Sequence, residues 1–293
     1  MKPSIFAYKA PATLDDAISI LAGDPDAVVL AGGQTLLPAM NFRAANPSVL
    51  VDIQHVQGLR GIHIGADGIV VKAMARHREL ELDAEVKRVN PLIAEVLQHV
   101  AHVPIRNRGT VVGSICHADP SAEMPLLLVL LGGSVVAQGP SGRRVIAAED
   151  FFHSFLTTAR SRDEIVVEAR FPALAPGAGW AFDEVARRHG DYAVAGVGCV
   201  LTLEAGGRAS RVQLAACGIS DRPLRLKAAE AILTGTALGI ADLDAAVAAS
   251  LAAVTQPDEM HVSASYRRRA LGALIRKTVA AAAQRARQVE TAS

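Results

Sequence analysis

From Thr13 the chain alternates apolar and polar positions with a helical beat: Leu14, Ala17, Ile18 and Leu21 recur until Gly23. Thr13 followed three residues later by Asp16 matches a capping box, so the spacing predicts a helix opening at residue 14. Apolar runs at 28–30 and 49–53 (VLVDI) predict strands on either side of a glycine-rich connection, an α/β opening. GIHIG and IVVKAM around Asp67-Gly68 predict a hairpin. A helical period runs from Arg76 to about His102, interrupted at Asn90-Pro91.

Residues 103–125, VPIRNRGTVVGSICHADPSAEMP, hold no sustained period and read as a long loop, a feature that in compact domains is functional or disordered. LLLVLLGG then continues a helix that Asp119 is placed to cap, with Pro120 at its first position. SVVAQ and RRVIAA around GPSG predict another hairpin, and DEIVVEARF a further strand. PALAPGAG at 172–179 is the best candidate linker between domains. Beyond it WAFDEVARR, AVAGVGCVLTLE and ASRVQLAAC predict an antiparallel sheet, with AGGR turning the last two strands. Ala-rich helices follow at about 224–234, 241–254 and 264–287, and the last dozen residues are expected to fray.

Composition narrows the classes. A chain of 293 residues can bury the cores of two or three modest domains. Lys plus Arg (30) nearly cancels Asp plus Glu (29), and the charges are scattered, so nothing points to nucleic acid or an anionic membrane. The apolar fraction is 51%, yet no stretch approaches the roughly 20 apolar residues of a membrane span. The start lacks a signal-peptide pattern, so a cytoplasmic protein is expected. Cys116, Cys199 and Cys217 match no metal or disulfide spacing, and an iron–sulfur cluster takes about four thiolates. The chain alone cannot hold one.

Two segments carry candidate chemistry. In VVLAGGQTLLPAM a strand runs into Gly32 and Gly33, whose N–H groups no side chain obstructs, and Gln34 and Thr35 add donors; such a nest suits phosphate oxygens. It is neither a Walker loop nor GxGxxG, and on spacing alone a plain turn stands as an equal reading. The second segment offers Gly113, the hydroxyls of Thr110 and Ser114, and then Asp119 and Glu123, for which helix capping is the bland alternative.

Together, AGGQTLLPAM (31–40) and RNRGTVVGSICHADPSAEMP (106–125) resemble the paired FAD-binding segments of the medium, flavin-binding subunits of molybdenum hydroxylases, the carbon monoxide dehydrogenase and xanthine dehydrogenase flavoproteins. ARRHGDYAVAGVG (186–198) and ACGISDRPLRLKAAE (216–230) extend the resemblance over essentially the whole chain. It implies an α+β protein: a PCMH/vanillyl-alcohol-oxidase-type FAD-binding fold of two α/β subdomains (1–55 and 56–176), followed by a C-terminal domain (177–293) with an antiparallel sheet and helices.

The resemblance also implies that Ala31, Gly32, Gly33, Gln34 and Thr35 wrap the FAD pyrophosphate, flanked by Val29, Leu30 and Leu36. Thr110, Gly113 and Ser114 would approach it from the second segment, Asp119 or Glu123 would accept hydrogen bonds from ribityl or ribose hydroxyls, and Tyr192 would lie over or beside the isoalloxazine ring. No catalytic residue and no metal ligand is assigned to this chain. Electrons would come from [2Fe-2S] clusters of a small partner subunit and leave for an external acceptor, while a large partner subunit would carry the molybdenum cofactor.

One departure stands out. The family reads Thr-x-Gly-Gly where this chain has Thr110-Val111-Val112-Gly113, and a Cβ at position 112 costs stability if the backbone there has positive φ or must touch the cofactor. Val112 therefore motivates an alternative, a flavin-free interaction module. A self-contained flavin oxidoreductase of the same fold is another, and it would need an acid or base and a substrate site for which no constellation is evident.

Overall fold

The computed structural model describes residues 2–292, and of residues 289–292 the backbone only. The chain opens with β1 (Ala7–Lys9), α1 (Leu14–Gly23), β2 (Val28–Leu30), α2 (Leu36–Asn41) and β3 (Val49–Asp52). β3 is buried along its length and lies parallel to both neighbours in a β1-β3-β2 sheet. Parallel neighbours need crossovers, which α1 and α2 supply. α1 starts as the spacing predicts, with the Asp16 N–H donating to Thr13 Oγ1 at 3.1 Å.

A second sheet, antiparallel in the order β4-β5-β10-β6-β7, is assembled from β4 (Ile62–Gly65), β5 (Gly68–Lys72), β6 (Ser134–Gly139), β7 (Gly142–Ala147) and β10 (Ile165–Phe171). Both predicted hairpins are present in it. Between β5 and β6 run six helices: α3 (His77–Leu82), α4 (Ala84–Val89), α5 (Pro91–Leu97), α6 (Val103–Arg106), α7 (Val111–His117) and α8 (Glu123–Leu131). Every residue of α8 is buried, and being apolar all round it forms the centre of the main core. α9 (Ala148–Phe151) and a small hairpin, β8 (Phe152–Ser154) with β9 (Thr157–Thr158), complete this part.

The last sheet is antiparallel in chain order: β11 (Gly179–Val185), β12 (Ala195–Leu203), β13 (Ala209–Cys217) and β14 (Leu224–Arg225). α10 (Lys227–Leu233), α11 (Ile240–Ser250) and α12 (Ala264–Ala292) follow. Strand alternation sends successive side chains to opposite faces. Val197, Cys199, Leu201, Leu214 and Ala216 therefore face a core shared with the C-terminal helices, while Val200, Ala215 and Cys217 face the core built on α8. Glycine in β12 lets α8 come close, since a Cβ at Gly198 would lie 2.6 Å from Leu130 Cδ2.

Four sequence expectations need correction. Residues 103–125 are not a loop: α6 and α7 occupy much of the stretch, each too short to display a period. Asp119 does not cap α8, which starts at Glu123 after Ala122; its carboxylate instead accepts from the Ser121 N–H at 2.8 Å, a local turn. Residues 224–225 are a strand, not the first turn of a helix. The C-terminal helix does not fray from residue 282, because Ala282, Ala283 and Ala286 are buried against the sheet. The sequence reading also missed β1, α2 and the β8–β9 hairpin.

Candidate functional site

β2 delivers the chain at Leu30 to a turn that Gly32 and Gly33 make possible. Gly33 has φ +71°, a left-handed conformation that side chains resist. Gly32 is there for space: a Cβ on it would lie 2.7 Å from the Arg108 carbonyl oxygen, 2.8 Å from Gly109 Cα and 3.0 Å from the Thr110 nitrogen. The two separated segments thus meet backbone against backbone. Gln34 Nε2 donates back to the Gly32 carbonyl at 3.2 Å and stiffens the turn. Among the described residues no acceptor takes the main-chain N–H groups of Ala31 to Thr35, and these residues are not fully buried.

The second segment is braced from below. Arg106 is buried in a two-pronged ion pair with Glu81 (Nε to Oε2 2.8 Å) and donates from Nη1 to the Val100 and Ala101 carbonyls. Arg76 donates to the Arg108 carbonyl and pairs with Thr110 in an isolated antiparallel bridge. Beneath Gly109 sits His77, with neither ring nitrogen hydrogen bonded among the described residues. Burial, with the Arg106 charge nearby, pushes its pKa down to about 4, so the ring is neutral at physiological pH.

Thr110 caps α7, its Oγ1 accepting from the Gly113 N–H at 3.1 Å. Gly113 is therefore helical, and its close neighbour is the cap itself: a Cβ there would lie 2.5 Å from Thr110 Oγ1. Val112 lies inside the helix with a negative φ and a side chain 2% exposed in the core. The sequence departure thus costs nothing locally, and the motive for a flavin-free module is gone. Ser114 on α7 and Asp119 are both half buried, and Asp119 acts on Tyr192.

Tyr192 reaches the site from the third sheet. Its ring is half exposed, while burial of the phenol end and the Asp119 and Glu123 carboxylates push its pKa up to about 12. The Thr35 side chain is close enough to pull the other way. One tyrosine therefore senses the first segment, through Thr35, and the second, through Asp119 and Glu123. Val29, Leu30 and Leu36 are half buried beside the turn and present no polar side chain.

Glu123 is not at the surface but 4% exposed. Burial first, and Glu184 second, push its pKa up to about 8. Glu184 on β11 pairs through Oε1 with His99 Nδ1 at 3.3 Å, which raises the His99 pKa, and Phe182 packs edge-on to that imidazole at 4.9 Å. Asp119 is more open, though burial raises its pKa too. Neither Glu184 nor His99 belongs to a motif; only the docking of β11 beside α5 and α8 brings them to Glu123. Among the described residues no group of His, Cys, Asp or Glu could hold a metal ion, and none of the three thiols is paired.

Residues 4–174 match the model of the FAD-binding domain in molybdopterin dehydrogenase, and residues 180–282 that of the CO dehydrogenase flavoprotein C-terminal domain. The chain belongs to this flavoprotein family. Among its relatives, the 6-hydroxypseudooxynicotine dehydrogenase complex subunit alpha of Paenarthrobacter nicotinovorans is 38% identical over 98% of this chain and 97% of its own. The carbon monoxide dehydrogenase medium chain of Hydrogenophaga pseudoflava is 33% identical over 96% and 98% of the two chains. A solved chain of the carbon monoxide dehydrogenase from Hydrogenophaga pseudoflava superposes with a TM-score of 0.94 at 35% identity, covering 97% of this flavoprotein and 99% of that chain.

Membership of the family makes FAD the cofactor to test against the geometry. A diphosphate needs several N–H donors converging on a concave backbone, and the Ala31–Thr35 turn supplies a consecutive run of them with no competing acceptor. The residues present fit the group.

Proposed function

We propose that this chain is the electron-transfer flavoprotein subunit of a heteromeric molybdenum hydroxylase. The observation that carries the reading is the backbone junction of Gly32 with Arg108 to Thr110, beside a run of unpartnered amides and within reach of Tyr192. Ala31, Gly32, Gly33, Gln34 and Thr35 hold the pyrophosphate; Thr110, Gly113 and Ser114 approach it from α7. Asp119, open and acceptor-rich, takes ribityl or ribose hydroxyls. Glu123, protonated at neutral pH, both donates and accepts behind it. Val29, Leu30 and Leu36 exclude water from the turn, and the Tyr192 ring lies beside the isoalloxazine.

FAD, when bound, supplies redox chemistry in steps of one or two electrons. The chain's own contribution is binding, orientation and control of access. The assembly is completed by a small subunit with [2Fe-2S] clusters, a large subunit with the molybdenum cofactor, and an external acceptor. The fold divides as PCMH-type subdomains over 1–55 and 56–176 and a C-terminal domain over 177–293, and the complex works in the cytoplasm. No helix among the described residues is long and apolar enough to cross a membrane.

Adding FAD to the purified full chain and removing the excess tests the cofactor reading: retained flavin absorbance, about one FAD per chain, supports it, and absence of retained flavin overturns it. Reduction of that flavin by a reduced [2Fe-2S] partner, and not by small organic substrates added alone, supports the electron-transfer role.

A further inference from the structure

Gly218, one residue beyond β13, stands where three parts of the molecule meet. Its N–H donates to the Pro120 carbonyl at 2.8 Å, so it holds the turn that carries Asp119 and leads into Glu123. It has φ +74°, and a Cβ on it would lie 2.7 Å from the Val194 oxygen and 2.8 Å from the Ala193 oxygen, the residues directly after Tyr192. Both sides of the proposed flavin site are therefore gauged from one glycine.

The glycine is itself held. Its carbonyl accepts from Arg267 Nε at 3.1 Å; the Ile219 carbonyl accepts from the Thr255 and Gln256 N–H groups at 2.9 and 3.1 Å; the Ser220 carbonyl accepts from Gln256 Nε2 at 2.8 Å. Three consecutive carbonyls are thus tied to the C-terminal region, one to α12 itself and two to the segment that leads into it. Arg267 lies in the first turn of that helix and is 5% exposed. Its Nη2 pairs with Glu259 at 2.9 Å, but Glu259 is half in solvent, and Nη1 has no partner among the described residues. A permanently charged guanidinium, buried with incomplete compensation, is poor value for stability alone. What it supplies that an apolar side chain of similar volume does not is a directed, charge-assisted bond to the Gly218 carbonyl.

We propose that Arg267 is a positioning residue for the flavin site: through Gly218 it sets the Asp119–Pro120 turn and the Tyr192 segment relative to each other, without touching the cofactor. The inference rests on the FAD reading above. It locates a determinant of flavin geometry in the C-terminal helix, far along the chain from either cofactor-binding segment.

The test compares FAD-loaded wild type, Arg267→Met, Arg267→Lys and Arg276→Met in the full chain. Arg276 is the control: it is on the same helix and pairs at the surface with Asp244, away from Gly218. Arg267→Met is expected to keep its far-ultraviolet circular dichroism, to weaken FAD binding by about tenfold, and to raise bound-flavin emission as Tyr192 moves off the ring. Arg267→Lys, whose compact ammonium lacks the planar fork that reaches Gly218 from Nε and Glu259 from Nη2, should fall between, and Arg276→Met should match wild type. Unchanged FAD affinity, flavin emission and flavin circular dichroism in Arg267→Met overturn the proposal. If that variant fails to fold, Arg267→Lys decides: wild-type flavin properties with only a lowered melting temperature overturn it equally. Failure of wild type itself to retain FAD would count against the cofactor reading instead, and is seen before any variant is compared.

Discussion

Gly32 and Arg108 meet backbone to backbone: any Cβ at residue 32 would lie 2.7 Å from the Arg108 carbonyl oxygen, with no flexible side chain to give way. Gly32→Ala must therefore part the two segments by a fraction of an ångström. FAD affinity is expected to fall by about tenfold or more, as expected for loss of one or two well-made hydrogen bonds to a charged group. The three sheets do not depend on this junction, so far-ultraviolet circular dichroism should stay the same. Titration of the apoprotein with FAD, followed by flavin emission, measures it.

Tyr192 separates ring from hydroxyl. With a pKa near 12 the phenol stays neutral well past pH 9, so bound-flavin absorbance should show no tyrosinate-linked change on the alkaline side. Tyr192→Phe keeps the ring and is expected to hold FAD within about threefold of wild type, the worth of one half-exposed hydrogen bond. Tyr192→Ala removes the stacking face and should brighten the flavin. Equal emission from the two variants would place the ring away from the isoalloxazine.

Stability of the FAD-free chain should peak in a narrow pH range. Glu123 titrates near 8 in the folded chain against an ordinary 4.5, so the folded state keeps a proton that the unfolded state releases; its contribution is complete below 4.5 and is lost as pH rises toward 8. His99, raised by Glu184, acts in the same direction. His77 does the reverse: near 4 when folded against 6.5, it costs stability as pH falls through that window. Each group contributes a slope of at most about 1.4 kcal/mol per pH unit. Glu123→Gln should flatten the alkaline limb and leave the acid limb, as read from urea midpoints across the range.

The Arg285 guanidinium lies 3.7 Å from the centre of the Trp180 ring, donates to the Trp180 carbonyl at 2.8 Å and pairs with Glu95 on α5. Arg285→Met is expected to cost about 1–2 kcal/mol, for a partly exposed cation–π contact and one ion pair. Trp180 is the only tryptophan, so its emission reports the loss directly.

Much of this was legible from residue order alone. The strand into Gly32-Gly33, both hairpins and the C-terminal sheet announce themselves because a period of two and paired glycines leave marks over a few residues. α6 and α7 leave none, being a single turn or two: α6 exposes Val103 and Ile105, and α7 shares its apolar face with α8. That is why Val112 reads as a liability in the sequence and turns out to be an ordinary core residue. The Glu123–Glu184–His99 cluster and the Arg267–Gly218–Pro120 chain were beyond reach for a different reason. Each joins parts of the chain that only tertiary packing brings together, and Glu184, His99 and Arg267 carry no local pattern that sets them apart from a surface charge.

α12 covers the face of β11 and β12 opposite α8, so closely that a Cβ at Gly179 would collide with the Ala282 carbonyl. The element that closes the third sheet is thus synthesised after every strand it shields. While a ribosome is still translating residues 264–286, that face lies bare to solvent, and the nascent chain has to be kept from sticking to its neighbours until the helix emerges.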